Sequence, residues 1–129
     1  MAPPKEYDMK YASWYGILVG FFMIAQWIFS ISTGGVPEFE TTPWAIGFHL
    51  AAEFSTALLL LVGGIAALKS KNWGQQVLLV GLGMVIYSEI VSPGYFAEQS
   101  QWAPVAMFAV LLFGAVVAVM SLLRQGNTK

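Results

Sequence analysis

The stretch "FHLAAEF", Phe48 to Phe54, places a histidine and a glutamate one helical turn apart in an otherwise apolar run. A second glutamate, Glu89, interrupts the next apolar run. Tyrosines aside, His49, Glu53 and Glu89 are the ionisable residues inside segments long enough to cross a bilayer. A carboxylate alone at mid-membrane costs about 2.5 to 3.5 kcal/mol on the lenient insertion scale, so two of them imply a shared purpose or a partner.

Three chemistries fit this set, and the first is the expected function: a small membrane protein whose site holds a divalent transition metal and acts on a membrane-soluble substrate. One imidazole and two carboxylates from two helices make a ligand set for a divalent transition metal (Zn, Fe or Mn), with His49, Glu53 and Glu89 as ligands. The metal would neutralise the acids and lower the cost of burying them. Without a metal, two level carboxylates share one proton, and Glu53 or Glu89 serves as general acid or base on a small or amphiphilic, membrane-soluble substrate, or as a proton-coupled carrier site. In the third reading the cluster only fixes helix packing or holds a partner, as in an accessory subunit of a membrane complex.

The spacing says which neighbours join the cluster. Glu53 and Glu89 are equally far in sequence from Lys71, the centre of the intervening link, and so are expected at one depth. His49 sits about 6 Å nearer the far end of its helix, from the rise per residue. The same construction about Glu38 and Phe39 brings Gln26 to this level, with Ser30 and Thr33 continuing its stripe. Thr56 lies on the His49 side one turn deeper, and Tyr87 and Tyr95 are candidate donors to the chamber. Gln26, Thr56 and Tyr87 are therefore the expected ligand-binding residues. The last apolar run offers Met107 and Phe108 as a wall, and "LLLLVGGIAAL" and "VLLVGLG" leave the other half of the bundle dry.

The His-x-x-x-Glu turn with a glutamate on the following span is similar to the arrangement in sterol isomerases of the EXPERA type, over one helical turn and one further residue. That resemblance implies acid/base chemistry within a compact helical bundle. Four-span quinone-linked thiol oxidases are similar in size, but their cysteines are missing here.

These residues must be positioned by helices. Of 129 residues, 57% are hydrophobic and only 10% charged, which is a membrane composition. The expected fold is an all-α integral membrane protein, a single domain of four transmembrane helices at about 13–33, 44–68, 73–91 and 102–123, in an up-down antiparallel bundle. "STGGVP", "TTPW" with a Thr cap, "SKNWG" and "SPG" punctuate the spans. The first run is too long for a cleaved signal peptide and reads as a retained span. Lys5, Lys10, Lys69, Lys71, Arg124 and Lys129 fall on one side, whereas the opposite links carry Glu38, Glu40 and Glu98 and no base. The positive-inside rule then puts both termini in the cytoplasm of a multi-pass cell-membrane protein, with the chamber in the outer half. Trp14, Trp44, Trp73 and Trp102 suit an aromatic belt, and "MAPPKEYDMK" and "RQGNTK" read as short solvated tails.

The absence of cysteine excludes disulfides and thiolate sites, and a single histidine excludes bis-histidine haem within one chain. There is no basic block for nucleic acid. The expected partners are the bilayer and a small or amphiphilic ligand. Gly16 and Gly20 form a GxxxG pattern, read as close packing or as a homo-oligomer face.

Overall fold

The computed structural model describes residues 6–126; Lys5 and Lys129 of the charge pattern, with the ends of both tails, lie outside them. The described residues form helices and no strands: α1 (Glu6–Ser32), α2 (Glu38–Thr41), α3 (Pro43–Leu68), α4 (Gly74–Val91), α5 (Pro93–Glu98) and α6 (Trp102–Gly126). Four stretches are long and apolar enough to cross a membrane: Met9–Ser32, Pro43–Leu68, Gly74–Glu98 and Trp102–Arg124. These match the four expected spans. Part of the expected N-terminal tail is instead helix, since α1 already begins at Glu6.

Small residues set how closely the helices approach. A Cβ on Gly63 would come 2.7 Å from Leu78 Cα, and one on Gly81 would come 3.0 Å from Leu60 N, so α3 and α4 meet backbone to backbone. On α1, a Cβ at Gly20 would lie 2.9 Å from the Ala57 carbonyl, and Gly16 faces Leu60 and Leu78. Both glycines of the GxxxG pattern thus pack against residues of the same chain. Contacts Glu53 to Ser88, Leu60 to Gly81 and Gly63 to Leu78 rise along α3 as they fall along α4. The apolar core gathers Leu60, Leu78, Leu82 and Val85 with Ala12, Val19, Ala115, Ala118 and Leu122. α6 closes the ring by packing on both α4 and α1.

Two boundaries depart from expectation. A residue before proline is pushed away from helical angles, yet Ser92 keeps them (φ −61°, ψ −36°), and its N–H bonds to the Ser88 carbonyl. Pro93 lacks the N–H that would reach Glu89, so the chain pauses for one residue and resumes as α5. Thr42 does precede α3, with Pro43 in its first turn, but its side chain makes no cap hydrogen bond. Trp14, Trp44, Trp73 and Trp102 are all exposed.

Candidate functional site

The apolar core leaves one end of the bundle open. A chamber of about 660 Å³ lies there, bordered by all four long helices and by Gly35, Glu38, Gln99 and Gln101 of the two links that contain no Lys or Arg. Met107 and Phe108 wall it on the α6 side, as the sequence suggested, and Phe108 stacks at 5.9 Å against Phe96 of α5. Gln26, His49, Glu53 and Glu89 all border this space.

Glu53 is buried, although it sits on a helix whose outer face is apolar. Its Oε1 accepts a hydrogen bond from the Ser88 hydroxyl at 2.8 Å and lies 3.4 Å from His49 Nε2. Ser92 Oγ is 3.4 Å from Ser88 Oγ, and since Ser88 donates to Glu53, Ser92 is the donor in that pair. A short hydroxyl chain therefore runs from Ser92 through Ser88 to the carboxylate. The His49 imidazole is set edge-on to Trp27 at 5.7 Å, which fixes its plane between α1 and α3.

Glu89 is buried too, but it faces the opposite pair of helices. Its Oε2 receives the Tyr15 hydroxyl at 3.2 Å, and its Oε1 is buried with no hydrogen-bond partner among the described residues. Tyr15 also reaches the Leu111 carbonyl of α6, while Tyr11, one turn back, bonds to the Gly114 carbonyl at 3.0 Å. Gly114 makes this possible: a Cβ there would come 2.8 Å from Cε2 of the Tyr15 ring.

The two carboxylates share the chamber without sharing a partner. Equal distance from Lys71 identified their common level, but the residue that meets Glu53 across the α3–α4 interface is Ser88, one position earlier. One residue is a rotation of about 100°, and it carries Glu89 towards α1 and α6. Among the described residues, no three His, Cys, Asp or Glu side chains come together as a metal-ion group, so His49, Glu53 and Glu89 are not assembled as the expected ligand triad. Gln26 borders the chamber but spends its amide on Ser30 at 3.2 Å. Thr56 is buried with its hydroxyl bonded to the Ala52 carbonyl at 2.7 Å, and Tyr87 is exposed on the outer surface. Both border a shallower groove on the far side of Glu53 instead of the chamber, whereas Tyr95 does border the chamber.

Sequence reasoning missed Ser88, Ser92 and Tyr15. Ser88 and Ser92, at i, i+4 and flanking Glu89, carried a readable signal in their spacing; Tyr15 carried none, because tyrosines near span ends are ordinary belt residues. The region beneath the chamber was expected to be free of polar side chains, yet Tyr15 and Tyr11 place two phenols there against α6 carbonyls. Further along, Gln75 reaches the Leu122 carbonyl and Ser121 the Val117 carbonyl, so these groups are satisfied locally.

No curated protein and no solved structure matches this chain. The profile of one family covers residues 7–129, and the chain therefore belongs to the family described as Domain of unknown function (DUF8058).

Proposed function

We propose that the protein binds a small membrane-soluble ligand in the chamber and that Glu53 and Glu89 exchange protons with it as general acid and base. The observation that carries this reading is Glu89 Oε1, a carboxylate oxygen buried beside a chamber of ligand size with no hydrogen-bond partner among the described residues. Tyr15 has one hydroxyl proton and two acceptors, Glu89 Oε2 and the Leu111 carbonyl, so Glu89 is only partly satisfied and is free to exchange a proton with a ligand. Glu53, with the Ser88 hydroxyl and the His49 imidazole beside it, suits the role of proton acceptor from the ligand.

Close helix contacts at Gly63, Gly64 and Gly16 seal the other half of the bundle, which favours an acid/base enzyme, isomerase-like in its chemistry, over a pore or carrier. In this reading the bundle is up-down, with cytoplasmic termini and the chamber opening outward. A divalent metal remains the second reading, resting on the 3.4 Å approach of His49 Nε2 to Glu53 Oε1; water and ligand atoms would then complete the coordination.

Native mass spectrometry and elemental analysis of protein purified in lipid nanodiscs test both. The acid/base reading expects a bound organic molecule that is lost in Glu53→Gln and Glu89→Leu, with no stoichiometric metal. Stoichiometric metal removed by Glu53→Ala would establish the second reading, and ligand retention in both variants would overturn the first.

A further inference from the structure

The chamber carries charge of one sign. Glu38, Glu53 and Glu89 border it, and among the described residues around it there is no Lys or Arg; His49, beside Glu53, is the one base. Five aromatic rings stand in its walls: Phe22, Trp27, Tyr95, Phe96 and Phe108. Carboxylates and the faces of aromatic rings share a preference, since each attracts a cation. A hollow lined by acids and rings disfavours fatty acids and anionic phospholipids and favours an organic cation.

Glu89 adds a requirement of its own. It is 3% exposed, and its Oε1 has no hydrogen-bond partner among the described residues. Tyr15, its neighbour, has one hydroxyl proton to divide between Glu89 Oε2 and the Leu111 carbonyl. A buried acceptor left open is costly, and the chamber that Glu89 borders, at about 660 Å³, has room for a molecule that brings the missing donor. A quaternary ammonium has the charge but no N–H. An alcohol has the donor but no charge. A protonated amine has both.

We infer that the ligand of the chamber is a hydrophobic amine bound as its ammonium. One N–H serves Glu89 Oε1, the charge is balanced by the Glu53 and Glu89 carboxylates, and the apolar body lies among the aromatic walls with Met107. Alkyl amines keep their proton at neutral pH, so the cation is the form that arrives. This rests on the chamber being a ligand site, as proposed above, and names the class of ligand it takes.

The test measures binding to the full chain in phosphatidylcholine nanodiscs by equilibrium dialysis, with uptake by empty nanodiscs subtracted. The probes share one skeleton: phenylbutylamine, its trimethylammonium analogue, phenylbutanol and phenylbutyrate. The amine should bind about tenfold more tightly than each of the others, and Glu89→Gln should weaken it by a similar factor. Gln101→Lys puts a cation on an exposed link residue that borders the chamber. It should weaken the amine several-fold at low salt and leave the alcohol unchanged. Equal or tighter binding of any of the other three probes overturns the amine and leaves the chamber reading standing, as does unchanged amine binding in both variants. If none of the probes binds, native mass spectrometry of the purified protein separates the two failures. A retained organic molecule that is lost in Glu89→Leu and lacks an amine overturns the amine alone, one that bears an amine supports it, and the absence of any such molecule overturns both readings.

Discussion

Glu53 and Glu89 are an acid pair divided between two hydroxyl donors, Ser88 for one and Tyr15 for the other. Removing either donor leaves a buried carboxyl with less than its complement. Ser88→Ala and Tyr15→Phe are each expected to cost about 1–3 kcal/mol of stability, read from thermal or denaturant unfolding in detergent. If Glu89 carries the proton, Glu89→Gln preserves a donor towards Tyr15 and should cost less than Glu89→Leu. A double-mutant cycle between positions 15 and 89 should then return a coupling of about 0.5–3 kcal/mol; additive effects would dissolve the pair. The sequence made His49, Glu53 and Glu89 visible because charge inside an apolar run is costly wherever it occurs. It hid Ser88 and Tyr15, since a serine or a tyrosine in a span is cheap and carries no such signal.

The glycines of α3 and α4 look alike in sequence and do opposite things. Gly63 lies against the Leu78 backbone, which cannot give way, so Gly63→Ala should separate α3 from α4 and cost about 1–3 kcal/mol. Gly83 faces open space, so Gly83→Ala should be neutral or stabilise its helix by up to about 1 kcal/mol. Unfolding of the two variants side by side gives the comparison, and equal effects would contradict the packing described. On α1, Gly20→Leu should lower thermal stability while leaving the particle size in mild detergent unchanged, because Gly20 packs on Ala57 and Leu61 of its own chain. A change of oligomeric state would instead place this face at a subunit contact. Hydrophobic length predicted all four long helices, whereas the pause at Ser92 and the resumption in α5 depended on a local contest that the proline rule decided wrongly.

For the whole molecule, the orientation can be measured directly, because the chain has no cysteine to give background. Lys71→Cys should react with a membrane-impermeant thiol reagent only after the cells are opened, and Glu40→Cys should react in intact cells. Reaction of both from one side would refute the orientation and the outward-facing chamber. Apolar run length and the cost of charge inside an apolar run act locally along the chain, and so the sequence alone determined the four helices long and apolar enough to cross a membrane and the three ionisable residues that border the chamber. Depth followed too, because a hairpin sets its two arms level. Rotation about each helix axis did not follow, since it is set by which small residues let which backbones touch. Only the tertiary structure decided that Glu53 turns to Ser88 and Glu89 to Tyr15, that Thr56 and Tyr87 belong to a separate groove, and that the three ionisable residues border one space without converging on one point.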